Sequence, residues 1–381
     1  MTSFSDLGLS PSLVQAAAEQ NYTQPFPIQV AVIPAILKGK DVFGIAQTGS
    51  GKTAGFVLPL LEALQNRKAS RSRHLKVLVL VPTRELAMQV GEVFRVFNAR
   101  QPQPVKTLAV FGGVSINPQM IALRGVEILV ATPGRLLDLI SSRAVHLSEV
   151  ETLVLDEADK MLNQGFEEEM DQLFRLLPKR RQNILFSATL GDDIKAIKEA
   201  LLLDPVLIDI APESGSLDLI TQTAYQVKAE NKGPFLRYLI RQRQMQQVLV
   251  FVSSTRGADN LVSKLVKNGL EAMALHGDKS QGARTEALNK FRKGKLRVLV
   301  ATDLASRGID IQFLPHVINY DLPRSPKDYI HRIGRTGRAE SPGEAITLIS
   351  PEDAHHFGVI QKKMGKTVPV IPTDEVDLKG A

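Results

Sequence analysis

The stretch AQTGSGKT, Ala46 to Thr53, carries the glycines, lysine and hydroxyl that a phosphate-binding loop needs. Gly49 and Gly51 permit a tightly turned backbone that aims successive N–H groups at phosphate oxygens. The apolar helix expected next, AGFVLPLLEAL, adds the positive end of its dipole. Lys52 then reaches the β and γ phosphates of a nucleotide, and the Thr53 hydroxyl ligates Mg2+. The general pattern opens with glycine where Ala46 stands, and a small side chain serves there if the local φ is negative. A glycine-rich turn with an exposed lysine is the plain alternative.

Two further stretches weigh against that alternative. VLDEADK ends an apolar run with adjacent carboxylates, which are costly there unless a cation or donors satisfy them. Asp156 suits Mg2+, held through its water shell, and Glu157 suits a general base that polarises an attacking water. A helix N-cap would explain one acid but not the pairing with Lys52. Hydrolysing NTPases and metabolic kinases share these two elements. HRIGRTGR, residues 331 to 338, separates them. Arg332, Arg335 and Arg338 recur every third residue, expected along one helix or turn face, with Gly334 and Gly337 between them. Arginine's planar fork of donors matches phosphate, so the stretch reads as an arginine finger for a γ-phosphate; a solvated basic face or phosphodiester contact is the competing reading.

Elements that alternate between strand and helix must position these residues. The short runs DVFGIA, KVLVLV, EILVAT, TLVLDEA and NILFSAT are separated by longer amphipathic stretches, which implies a parallel sheet. DPVLIDIAPESGSLDLITQ breaks the rhythm with Pro, Gly and Ser and reads as a linker. The rhythm restarts in QVLVFVSS, EAMALHG, RVLVATD, HVINYD and EAITLIS. The expected organisation is therefore an α/β chain of two similar domains, 1–205 and 221–365, with a linker at 206–220 and a short tail at 366–381. Ligands of such sheets gather where strands end, which is where the informative residues fall.

Composition narrows the chemistry further. Without cysteine there is no disulfide scaffold, thiolate zinc site or cysteine nucleophile, so any metal takes oxygen ligands. The formal charge of +7 suits a polyanionic partner, although many basic proteins bind none. No long uncharged apolar run and no signal-peptide pattern is present, so the expectation is a soluble cytoplasmic protein that does not engage membranes.

Taken in order, the motifs resemble those of the DEAD-box RNA helicases of superfamily 2, whose tetrad stands here as Asp156-Glu157-Ala158-Asp159. The likeness runs from about residue 4 to 360 through NYTQPFPIQ, AQTGSGKT, PTRELA, FGG, TPGR, DEAD, SAT, VFVSST, HGDKSQGAR, ATDLASRGID and HRIGRTGR. Among bacterial members, VFGGVSINPQM and HGDKSQGART are most similar to the RhlE group. The family loop itself begins A-x-T-G-x-G-K-T, so Ala46 conforms to it, whereas Asn21 and Phe26 stand where Gly and Thr are more usual.

This resemblance implies two tandem RecA-like domains and an RNA-stimulated ATPase that hydrolyses ATP with Mg2+. Phe4 and Tyr22 would serve the adenine, Gln29 its edge, Thr48, Gly49, Ser50, Gly51, Lys52 and Thr53 the phosphates, and Asp310 the ribose. Arg335 and Arg338 would reach the γ-phosphate when the domains close as a clamp. RNA would be held by its backbone through Pro82, Thr83, Arg84, Gly113, Thr132, Gly134 and Arg135 of the first domain and Gln281, Arg284, Thr302 and Arg307 of the second. Asp159, Ser187, Thr189, His331 and Arg332 would couple the two sites. The chain lacks tryptophan and is poor in aromatics, which argues against stacking along a long single strand. A monomer working on RNA, with ribonucleoprotein or RNA-decay partners, is expected. An ATP-gated RNA clamp and a superfamily 2 DNA helicase are the alternatives.

Overall fold

The computed structural model describes residues 2–46, 50–66, 74–163, 165–210, 220–303, 314–337 and 343–378. The chain divides into two compact units, Met1–Pro212 and Glu213–Ala381. Each holds a seven-stranded sheet in which all strand pairs are parallel.

In the first unit the strands are β1 (Val42–Ile45), β2 (Val77–Leu80), β3 (Thr107–Val110), β4 (Ile128–Ala131), β5 (Thr152–Leu155), β6 (Gln182–Ser187) and β7 (Val206–Asp209). Their spatial order is β3-β4-β2-β5-β6-β1-β7. VLVL, ILVA and TLVL are buried along their whole length, as parallel strands covered on both faces must be. Successive residues feed opposite layers. Val42 joins Phe56, Phe94 and Phe186 on one side of the sheet, while Phe43 joins Leu78, Leu129 and Leu185 on the other.

The second unit runs β8 (Ile220–Gln226), β9 (Val248–Val252), β10 (Ala272–Leu275), β11 (Val298–Thr302), β12 (His316–Asn319), β13 (Gly343–Ile349) and β14 (Val370–Pro372), ordered β10-β11-β9-β12-β13-β8-β14. Val248, Val250 and Val252 face one layer, and Leu249 and Phe251 the other. Among the described residues, no helix is long and apolar enough to cross a membrane.

Three expectations change. The segment read as linker contributes β7, which pairs with β1 in register Val42 to Val206. The segment read as tail contributes β14 on β8, and Val376 and Leu378 beyond it pack against the core. Both were masked in the sequence by prolines and polar neighbours, which are tolerated because these are edge strands. Arg332 and Arg335 do not share a helix face: the helix Pro326–Ile333 ends before Gly334, so Arg332 lies in its last turn and Arg335 in the turn that follows.

Parallel pairing puts every strand's carboxyl end on one edge of its sheet. Because β5, β6 and β1 are neighbours, the loops carrying DEAD, SAT and AQTGSGKT are brought together. Because β3, β4 and β2 are neighbours, the loops carrying FGG, TPGR and PTRELA form a second group beside them.

Candidate functional site

Ala46 is 2% exposed, and its N–H donates to the Ser187 carbonyl at 3.1 Å, so the first position of the phosphate loop is pressed against β6 and admits only a small side chain. Gly51 has φ +87° and caps the helix Lys52–Gln65, a conformation that favours glycine. The Lys52 ammonium is buried and donates to the Ala46 carbonyl at 2.6 Å, which stations it inside the loop. Thr53 is half-buried one residue further on, and the buried Ser50 hydroxyl has no hydrogen-bond partner among the described residues. Thr48 and Gly49 lie outside the described residues.

Gln29, buried on the helix Pro27–Leu37, accepts from the Phe26 N–H at 2.9 Å and donates to the Gly51 carbonyl at 3.0 Å. The expected adenine element is thus bonded to the phosphate loop. Asn21 has φ +62°, the left-handed region where asparagine is the best-tolerated substitute for glycine, which accounts for its place there. Tyr22 packs edge-on against Phe97 and Phe26. Phe4, expected at the base, is buried in the core cluster with Leu7, Leu9 and Leu13. The leucines that follow it in FSDLGLS make that stretch a hydrophobic anchor.

Asp156 follows β5, with its N–H bonded to the Leu80 carbonyl at 3.1 Å. Burial pushes its carboxyl up to about 6, reinforced by the Glu157 charge and opposed by Lys52 and Lys160. One of its oxygens, Oδ1, is buried with no hydrogen-bond partner among the described residues. A carboxylate in this condition suits a cation. Asp156 and the Thr53 hydroxyl are the oxygen donors that would hold Mg2+, an ion that takes one or two protein ligands and completes its shell with water and phosphate. Glu157 has φ +55°, a left-handed conformation unusual for a non-glycine residue and characteristic of functional turns. Its Oε1 accepts from the Lys160 ammonium at 2.6 Å, and both side chains are buried.

From DEAD a bond leads to SAT. The Thr189 hydroxyl donates to Asp159 at 3.3 Å, and the buried Ser187 hydroxyl closes the turn by donating to the Thr189 carbonyl at 2.7 Å. The two motifs therefore share a hydrogen-bonded path.

The second loop group begins at Pro82. Thr83 caps the helix Arg84–Asn98, accepting from the Leu86 N–H at 3.2 Å. Arg84 lies over Gly113, where φ is +75° and a Cβ would fall 2.0 Å from the Arg84 guanidinium. Thr132 starts the helix Pro133–Ser141, and Gly134 in its first turn has open space beside it. Arg135 is 8% exposed; it donates to the Val114 carbonyl at 2.8 Å and to Asp138 at 3.3 Å, and its Nη1 has no hydrogen-bond partner among the described residues. Pro82, Thr83, Arg84, Gly113, Thr132, Gly134 and Arg135 thus lie at the ends of three adjacent strands.

In the second unit, Gln281 and Arg284 are buried on the helix Gln281–Arg292, and Thr302 closes β11. Arg332 is held on all sides. It makes paired bonds to Asp303 at 2.6 and 2.7 Å, donates to Asn319 at 3.2 Å and to the Asp321 carbonyl at 2.6 Å, and stacks over Phe251 at 5.0 Å. These contacts make it a brace between β9, β11 and β12 and the helix that precedes Arg335. Arg335 is buried in the next turn, its N–H bonded to the Arg332 carbonyl and its carbonyl to the Leu314 N–H, each at 3.2 Å. His331 is half-buried. Arg307, Asp310 and Arg338 lie outside the described residues.

Sequence reasoning passed over three partners. Lys160, Asp303 and Asp259 each complete a charged pair around a motif residue; Asp259 bridges His276 at 3.1 Å and Lys279 at 2.8 Å. The i,i+3 spacing of Glu157 and Lys160 was a usable signal. The others are distant in sequence from the residues they hold.

A family model described as DEAD/DEAH box helicase matches residues 26–197, and one described as helicase conserved C-terminal domain matches residues 231–340. The ATP-dependent RNA helicase CshA of Listeria monocytogenes is 41% identical over 367 residues, covering 96% of this chain and 69% of that protein. The DEAD-box ATP-dependent RNA helicase RhpA of Helicobacter pylori is 39% identical over 374 residues, covering 97% and 75%. Among solved structures, S. cerevisiae Dbp5 bound to RNA and ADP BeF3 is similar with a TM-score of 0.86 at 31% identity, over 98% of this chain and 97% of that one. A DEAD box protein from Methanococcus jannaschii is similar with a TM-score of 0.56 at 34% identity, over 97% and 99%.

Proposed function

From the premise that this chain belongs to the DEAD-box ATP-dependent RNA helicases, each of its two units a RecA-like sheet domain, we propose a division of labour among its own residues. It hydrolyses ATP under the stimulus of RNA and uses the cycle to open short duplexes or remodel RNA-protein complexes. The observation that carries this reading is the sorting of motifs along the first sheet. Nucleotide motifs end β1, β5 and β6, RNA motifs end β2, β3 and β4, and the Asp159–Thr189 bond lies within the nucleotide group.

Lys52 and the N–H groups of the loop hold the phosphates, and Gln29 holds the base edge. Glu157, steadied by Lys160, takes a proton from the attacking water. Mg2+, when bound by Asp156 and Thr53, neutralises phosphate charge. Arg335 and Arg338 stabilise the charge that develops on the transferred group, and Asp310 takes the ribose. Loss of the γ-phosphate is relayed from the DEAD turn to SAT through Asp159 and Thr189. The RNA set reads backbone and 2′-hydroxyls, so binding is salt-dependent and largely indifferent to sequence. The cytoplasm is the compartment that fits this work.

The test is ATP turnover with RNA against single-stranded DNA of equal length. RNA should stimulate strongly and DNA weakly; equal stimulation would sink the RNA assignment. Release of a fluorescent strand from a short RNA duplex separates a helicase from an ATP-gated clamp, which would bind tightly and release nothing.

A further inference from the structure

We propose that Phe26 is a base-contacting, specificity-determining residue, its exposed ring forming one wall of the purine site; the inference rests on the nucleotide reading of the phosphate loop. Phe26 occupies the N-cap of the helix Pro27–Leu37, a position that favours Ser, Thr, Asp or Asn because their side-chain oxygens satisfy orphan N–H groups. Phenylalanine forfeits that cap. It also leaves 46% of its surface exposed, in a chain whose other large aromatics are mostly buried. A residue that breaks two local preferences at once calls for a compensating role.

The surroundings supply one. The Phe26 ring lies against Gly51 of the phosphate loop, where a Cβ would fall 2.8 Å from its Cδ2. Tyr22 stands perpendicular to it, with ring centroids 6.4 Å apart and an interplanar angle of 87°, and Tyr22 is itself braced edge-on by Phe97 at 5.9 Å. Two rings at a right angle make an aromatic corner beside the phosphate loop.

Gln29 sharpens the need for it. A carboxamide offers two N–H donors and two acceptor lone pairs, and here the Phe26 N–H and the Gly51 carbonyl each engage one. The base edge is left with one donor and one lone pair. Contact with the π faces of Phe26 and Tyr22 then supplies the remaining affinity, and it does so for any purine, because every base presents a π face. Threonine at this position would supply a cap and no ring.

Because the chain has no tryptophan, Phe26→Trp creates a single fluorescent reporter at the proposed contact. ATP should quench or shift its emission saturably, and GTP should do so at somewhat higher concentration, while inorganic triphosphate leaves it unchanged. Phe26→Thr should weaken ATP binding by about tenfold, the scale of one lost stacking contact, leave triphosphate binding as it is, and widen the preference for ATP over GTP. Phe26→Leu keeps apolar bulk on Gly51 without the π face and should behave like the threonine variant. The proposal is overturned if the wild type binds ATP calorimetrically while Phe26→Thr binds it equally well, or if the tryptophan emission ignores ATP that is shown to bind. A wild type that binds neither ATP nor triphosphate would overturn the nucleotide reading itself, and this inference with it.

Discussion

Glu157→Gln should bind ATP as tightly as the wild type and release phosphate about 10²–10⁴-fold more slowly, the range that general-base catalysis contributes. The substitution removes a proton acceptor and preserves nearly everything else. A glutamine Oε1 can still accept from Lys160, and the side-chain volume is unchanged, so the tight turn with φ +55° keeps its packing. Phosphate release measured in excess RNA, set beside the affinity for a fluorescent ATP analogue, separates the two quantities. Hydrolysis at the wild-type rate would remove Glu157 from the chemistry.

Arg335→Ala should lower RNA-stimulated kcat by about 10³-fold, the lower end of what an arginine finger contributes, while ATP affinity without RNA stays within about twofold. Lys52, Thr53 and Gln29 belong to the other unit, so the ground-state hold on the nucleotide does not depend on Arg335. A melting curve is the needed control, because Arg335 is buried and its backbone is bonded on both sides. Loss of kcat with an unchanged melting temperature marks a charge acting on the transition state; unchanged kcat would refute the cross-unit role. Arg332 makes the contrast instructive. Its guanidinium is engaged by Asp303, Asn319, the Asp321 carbonyl and Phe251, which makes Arg332 a structural brace of the motif.

The fold was legible in the sequence wherever a strand was buried on both faces. Runs such as VLVL, ILVA and VLVFV announce themselves because parallel central strands exclude polar residues. β8 and β14 did not, for opposite reasons. ITQTAYQ is mostly polar and takes its strand character from its neighbours, and Val370–Pro372 ends in a proline that only an edge position tolerates. The nucleotide residues were legible because phosphate chemistry demands glycine, lysine and a hydroxyl at fixed spacing. Phe4 shows the limit of such reading, because an aromatic side chain near a motif looks the same in sequence whether it faces a base or the core. Arg332 and Arg335 carry identical side chains; only the end of the helix between them, and the distant Asp303, marks Arg332 as the brace.

Edge strand β14 changes how the end of the second unit is understood. It covers the outer rim of β8, accepting the Ala224 N–H through the Pro369 carbonyl, and Thr373 adds a bond to Gln226. Cutting the chain after the matched helicase region would uncover that rim and leave a row of unpaired donors and acceptors next to apolar Tyr225 and Val227. Such a rim is a template for other copies. Removing the residues that look like a dispensable tail should therefore promote self-association, and cost solubility before it costs catalysis.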